Sequence, residues 1–318
     1  MAGISHKTKQ YLLAGAKVLV LAVTFGYIFY KIGYDSSIDF NEFIATISAK
    51  ASFSGYFILL FTIMASANWF FEILKWRTLV SVIEKINFIT AMKQSLASLT
   101  VSLATPNRIG EYGAKAWFFE AKKRKKILLL NFFSSSAQMF VTTVFGLIGL
   151  LFFLRNFNVG YSLKTPCYFG IALILLFAFG YYLKEKELLL KGLSISKMLE
   201  FFKNIPLKIK FQTLLLSVFR YFIFSGMFYV LLLFFGANID FWEAVLLIFA
   251  MYFLVSVIPT LFIFDVVIRG GVAVWLFSFA DVPELIVLMT VLTIWIFNFV
   301  LPAICGSFFV LTYQPATK

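Results

Sequence analysis

Two stretches decide how this chain is read: TPNRIGEYGAK at residues 105–115 and PTLFIFDVVIRGG at residues 259–271. Both place ionisable residues inside apolar sequence, and they share a plan. A proline comes first, an acid follows five or six residues later, and a base stands four residues after the acid: Pro106, Glu111 and Lys115, then Pro259, Asp265 and Arg269. Charge at membrane depth is costly and faces a partner or a polar cavity, so a doubled pattern of this kind marks a functional site rather than an anchor.

The surroundings of the two stretches set that depth. Apolar residues make up 61% of the 318, charged residues only 14%, and the mean hydropathy is +0.92; a soluble domain with a polar surface does not have this composition. The chain reads as an all-α polytopic membrane protein. The net charge of +13 is explained by basic cytoplasmic loops facing anionic lipid rather than by nucleic acid. Cys167 and Cys305 lie far apart in apolar sequence and support neither a metal site nor a disulfide framework. The single histidine, His6, sits in the polar N-terminal tail, which removes histidine-based nucleophile and metal systems. No cofactor or metal is expected.

Spanning a bilayer takes about 20 apolar residues. Six segments have that length: 12–32, 55–76, 127–154, 166–183, 211–235 and 285–311. The first lacks a small-residue cleavage pattern and reads as a retained helix. Two more apolar stretches, 88–119 and 242–280, are interrupted by the two motifs. Loop charges set orientation. Lys7, Lys9 and Lys17, then Lys75 and Arg77, then the basic run at 122–126 all belong on the cytoplasmic side, whereas Asp35, Asp39 and Glu42 belong outside. The stretch between Arg77 and residue 122 must therefore enter the membrane and return on the same side. The same reasoning applies between Asp240 or Glu243 and Asp281 or Glu284, from the opposite face. The expected architecture is six full spans plus two broken re-entrant helical elements that enter from opposite sides as an inverted repeat, with both termini cytoplasmic in a bacterial cytoplasmic membrane. Carriers place substrate where such elements meet near the midplane.

Residues 1–318 read as one transmembrane domain. Residues 184–210, with seven lysines, three glutamates and a set of leucines and phenylalanines, form a cytoplasmic amphipathic connection within it.

Several side chains then qualify for a site. Glu111 with Lys115, and Asp265 with Arg269, can each meet on one helical face. Arg108 is an excess cation beside a broken helix, suited to phosphate because a guanidinium binds phosphate oxygens bidentately. Arg220 lies ten residues past Lys210, about 15 Å of helix rise, and so faces the bundle interior, against substrate or as partner to Asp265 or Glu111. Pro106 and Pro259 break the helices, Gly110 and Gly270 permit close backbone approach, and Gln138 belongs to a polar side of the third span with Ser134, Ser135, Ser136, Thr142 and Thr143. Such residues, like Asn298 in the last span, more often hydrogen-bond between helices than line a cavity. Glu72 is placed near the cytoplasmic surface, pairing with Lys75 or Arg77.

The run ATPNRIGE at residues 104–111 resembles the Pro-x-Arg-x-Gly-Glu signature of the lysylphosphatidylglycerol synthase transmembrane-region family, which are flippase-like membrane proteins; Ile258-Pro259-Thr260 through Asp265, Arg269 and Gly270 resembles its second proline-rich motif. Two departures stand out: Lys115 where the family often has arginine, and LFIFD at 261–265 where it commonly has a glycine-rich run with glutamate. The full-length synthases carry a soluble aminoacyl-transferase domain after the membrane part. This sequence ends at Lys318, so lysyl transfer is not expected of it.

The resemblance and the motifs imply a lipid translocator, moving a phospholipid or polyprenyl-phosphate headgroup through a polar intramembrane cleft. Arg108 and Arg269 would receive the phosphate, Lys115 and Arg220 would add positive potential, and Glu111 and Asp265 would orient the bases or accept an amine or proton. Expected partners are an anionic lipid or lipid-linked phosphate and the membrane itself, with a lipid- or glycan-modifying enzyme as a further partner. Two alternatives stay open. A membrane-embedded lipid-modifying transferase predicts an acid free of ion pairing, and an accessory subunit of a lipid or polysaccharide assembly enzyme predicts a bundle sealed around its charges. No catalytic constellation is present.

Overall fold

The computed structural model describes residues 54–103, 105, 109–158, 194–258 and 265–313, and among these every extended element is a helix, joined by short turns. The expected spans at 12–32 and 166–183, the motif residues Pro106, Arg108 and Pro259, and the side chain of Asp265 lie outside the described residues. In chain order the helices are α1 (Ser54–Val80), α2 (Phe88–Leu103), α3 (Ile109–Trp117), α4 (Ala121–Asn156), α5 (Ile195–Asn204), α6 (Leu207–Phe235), α7 (Phe241–Val257), α8 (Asp265–Ser278), α9 (Glu284–Trp295), a π turn (Ile296–Val300) and α10 (Leu301–Leu311). Four described stretches are long and apolar enough to cross a bilayer: α1, α4, α6, and α9 with α10.

Helices α1 and α6 run antiparallel. Phe57 stacks near Phe234 at one end (4.5 Å between ring centroids), and Phe71 meets Phe219 at 5.4 Å toward the other. This pair defines two ends of the molecule. Helix α1 finishes at the end where α6 begins, and α2 sets out from there after a short loop. Helices α2 and α3 form a hairpin that returns to the same end: Glu84, in the loop before α2, is 2.8 Å from Lys123 at the start of α4. Helices α7 and α8 form the second hairpin at the opposite end. It starts where α6 stops, at the left-handed Gly236 (φ 99°), and it finishes with Trp275 and Phe279 against Phe153 near the far end of α4. The two broken elements therefore enter from opposite ends, as the loop charges require.

The helix pairings also interchange. Helix α4 packs along α7, and α10 packs along α2. Glycine makes both approaches close: a Cβ on Gly149 would stand 2.3 Å from the Leu246 carbonyl oxygen, and one on Gly306 would stand 2.2 Å from the Leu96 carbonyl oxygen. Both contacts fall on the first limb of a hairpin, one per hairpin. Thr100 adds a hydrogen bond across the second of them, donating to the Ala303 carbonyl at 3.0 Å.

Three local devices hold the elements. Asp240 caps α7, accepting from the backbone amides of Trp242 and Glu243. At the tip of the first hairpin the Thr105 hydroxyl accepts from Gly110 N at 2.8 Å and donates to Ser102 O, and a Cβ on Gly110 would lie 2.7 Å from that hydroxyl oxygen. At the π turn, Pro302 has no amide to offer the Asn298 carbonyl. The Trp69 indole donates to it instead at 3.1 Å, and Asn68 donates to the Asn298 side chain at 2.7 Å, tying α1 to the last span.

Helix α5 is the described part of the amphipathic connection. Ser194 caps it, Phe202 stacks against Phe132 and Phe133 of α4, and Leu199 on its other side is exposed. Residues 184–193 lie outside the described residues.

Candidate functional site

Helices α1, α2, α3, α4 and α6, with Ser256 of α7 and Phe299 of the π turn, line a cavity of about 400 Å³, within the range of about 300–1,000 Å³ usual for small-molecule sites. Its polar wall is built from charges that cannot leave it. Helix α1 runs on through apolar Leu79 and Val80, so Lys75 sits five residues inside its end and is 2% exposed. Lys75 pairs with Glu72 at 2.7 Å. Arg220, from the antiparallel α6, reaches the same carboxylate oxygen at 3.1 Å and donates to the Gln138 side chain at 3.4 Å. One acid thus bridges two cations drawn from two helices.

A second pair comes from the first hairpin. Lys115 is 1% exposed and donates to Glu111 at 2.7 Å and to Asn131 of α4 at 2.9 Å. Its ammonium also lies 4.6 Å from the centroid of the Trp76 ring, a favourable cation–π placement, and Trp76 is itself oriented by donating to Gln94 at 2.8 Å. Glu111 is 29% exposed and so keeps a face on the cavity. Ser95, Tyr112, Ser134, Ser135, Thr142 and Ser256 complete the polar lining.

Among the described residues, three cations and two carboxylates wall this space, an excess of one positive charge. Ser95 Oγ and Arg220 Nε are buried and have no hydrogen-bond partner among the described residues. Buried polar atoms are usually paired, so these two donors are suited to a polar ligand's oxygens. Both described acids in the cavity are ion-paired, and among the described residues no three His, Cys, Asp or Glu side chains form a group suited to a metal.

Of the residues expected from sequence, the structure brings Glu111, Lys115, Gln138 and Arg220 into this one cavity. Arg269 is not among its lining. It lies one turn into α8, in a separate apolar pocket, with its guanidinium carbon 5.9 Å from the Phe299 ring centroid. Gly270 faces α9, where a Cβ would meet Leu288 at 3.2 Å. Three expectations are corrected. Glu72 pairs with Lys75, as expected, but it is buried at the centre of the charge network and not near the surface, because the helix continues past Lys75. Among the described residues the partner of Arg220 is Glu72, not Glu111. Ser134, Ser135 and Thr142 line the cavity beside Gln138, rather than serving only helix–helix contacts. One signal for Glu72 and Lys75 was available, since apolar sequence resumes after Arg77 and moves the helix end outward.

A model of the protein family described as lysylphosphatidylglycerol synthase TM region matches residues 15–306. Neither a search of curated proteins nor a search of solved structures finds a match.

Proposed function

The chain belongs to the lysylphosphatidylglycerol synthase transmembrane-region family, and we propose that it is a membrane lipid translocator that takes an anionic headgroup, a phospholipid's or a polyprenyl phosphate's, into the cavity between α1, α2, α3, α4 and α6. The observation that carries this reading is the network in which Glu72 bridges Lys75 and Arg220 beside the Glu111–Lys115 pair. Such a wall is expensive to build within a bilayer unless a charged group visits it. Its surplus cation favours a phosphate, and the paired carboxylates keep the lysines and the arginine oriented when no phosphate is bound. The acyl chains would stay among the apolar helix faces outside.

Charge along the molecule supports an orientation. The end with the α1–α2 loop carries the basic run at 122–126, Lys208 and Lys210, while the opposite end carries Asp240, Glu243, Asp281 and Glu284. The basic end is the cytoplasmic one by the positive-inside rule, and the end of α10 lies there too: Tyr313 donates to the Trp117 carbonyl at 2.6 Å. The first hairpin then opens to the cytoplasm. A lipid- or glycan-modifying enzyme on that side would be a natural supplier of the substrate.

The test is leaflet exchange in vesicles of phosphatidylglycerol holding the purified protein and a trace of acyl-labelled fluorescent phosphatidylglycerol, with a membrane-impermeant reductant outside. Translocation bleaches the inner-leaflet fraction as well as the outer. Losing one charge-assisted hydrogen bond to phosphate costs about 1.5–3 kcal/mol, about 10–100-fold in rate, so Arg220→Gln should slow exchange by that factor. Wild-type rates in both Arg220→Gln and Lys115→Met would remove the cavity from the mechanism.

A further inference from the structure

Arg269 and the polar cavity belong to different hairpins, and among the described residues a single side chain, Phe299, lines both the cavity and the Arg269 pocket. The pocket lies beyond the cavity along the membrane normal: its α6 lining, Phe224 and Phe228, stands one and two turns past Arg220, toward the end from which the second hairpin enters. It measures about 20 Å³, room for about one water, and a headgroup cannot occupy it as it stands. Phe299 itself is 7% exposed.

The backbone under Phe299 is unlike the rest of the span. It belongs to the π turn at Ile296–Val300, and π turns inside helices frequently sit at functional sites. Shifting such a turn along a helix by one residue rotates the side chains it passes by about 100°, the angular step of 3.6 residues per turn. Pro302 removes the amide that would otherwise lock the Asn298 carbonyl into the helix, and the bond that replaces it comes from Trp69, a residue of the cavity wall. A change in the cavity thus acts directly on the turn that carries Phe299.

We infer that Phe299 is the gate of the translocation path, closing the passage between the Glu72–Arg220 cavity and the Arg269 pocket of the second hairpin. The inference rests on the translocator reading above and adds the residue that separates its two cationic stations. With the ring in place, the Arg269 pocket keeps a volume of about 20 Å³, too small to receive a headgroup from the cavity. With the ring turned aside by a shift of the π turn, the small pocket joins the cavity and Arg269 becomes the next phosphate ligand.

Accessibility tests this without any lipid movement. In a background with Cys167→Ser and Cys305→Ser, Val255→Cys places a thiol in the Arg269 pocket, and a small cationic thiosulfonate is applied from the α1–α2 loop end. Labelling should be slow with Phe299 present and several-fold faster with Phe299→Ala. The milder Phe299→Leu, expected to elute as folded protein where the alanine variant does not, should also label faster. Equal labelling rates across these variants and Phe299→Trp would overturn the gate. In the vesicle assay Phe299→Leu should exchange lipid faster than wild type. Wild-type protein that exchanges no lipid, with labelling still set by residue 299, would sink the translocator reading and leave the gated passage standing; wild-type exchange with unchanged labelling would do the reverse.

Discussion

Replacing Glu72 by glutamine keeps the side chain's shape and removes only its charge, so it isolates what the carboxylate does for Lys75 and Arg220. In the native protein one oxygen lies 2.7 Å from the lysine nitrogen and 3.1 Å from the arginine nitrogen. At an effective dielectric of about 20, a unit-charge pair about 4 Å apart is worth about 4 kcal/mol. Two such attractions are lost together, and the Lys75–Arg220 repulsion is left uncompensated. The native pair is already partly offset by desolvation, and removing one partner of a buried pair usually costs about 3–5 kcal/mol. Because the cavity lets water reach Arg220, which is 26% exposed, the lower end applies: about 3 kcal/mol. Equilibrium unfolding in mixed micelles, followed by the fluorescence of the six tryptophans, would measure it. Adding Lys75→Met should recover part of the loss, since one of the two stranded cations is gone. A Glu72→Gln protein within about 0.5 kcal/mol of wild type, the usual range for an inconsequential surface change, would show that the carboxylate is solvated rather than bridging, and the cavity would lose its central element.

Other consequences follow from the helix contacts. Gly149→Leu and Gly306→Leu should each destabilise by about 1–3 kcal/mol or more, since overpacking at a backbone contact forces the helices apart. The same titration should show Gly226→Ala gaining about 0.5–1 kcal/mol, because its nearest neighbour beyond the helix is Met64 at 4.0 Å. Trp69→Phe leaves the Asn298 carbonyl without its donor and should cost about 1–3 kcal/mol, with a shift in Phe299-dependent labelling that a remote cavity mutation would not produce. Lys115→Met should cost less in stability than Glu72→Gln, since Glu111, 29% exposed, can turn to water; its loss should appear in lipid exchange instead.

Much of the architecture was legible because it follows from two cheap rules. Length and hydropathy mark the spans, and the basic run at 122–126 forces the intervening stretch back to the end where it began. What sequence could not supply was depth within a helix. Lys75 and Arg77 look alike when read as the end of a span, yet in the helix they point to different sides: Arg77 is exposed and Lys75 is buried against Glu72. Which base an acid takes depends on the partner helix, and nothing local to Glu72 or Arg220 announces that α1 and α6 lie antiparallel with those two residues level. The π turn was hidden for a similar reason. Pro302 was visible, but its effect on Phe299 depends on Trp69 being in reach.

The two hairpins are packed alike and differ in what they hold. Each opens to its own end, and each lays its first limb against a glycine-bearing span. Yet the first hairpin sets Glu111 and Lys115 into an open cavity, while the second sets Arg269 behind Phe299 in a space of about 20 Å³. On the translocator reading proposed above, two hairpins that enter from opposite ends and hold unequal cavities correspond to a carrier open to one side only. On the proposed cycle the opposite state would exchange the two environments, with the Arg269 pocket enlarged and the Lys115 cavity collapsed. The helices that would have to slide for that exchange are α4 on α7 and α10 on α2, the two interfaces where glycine leaves backbone against backbone.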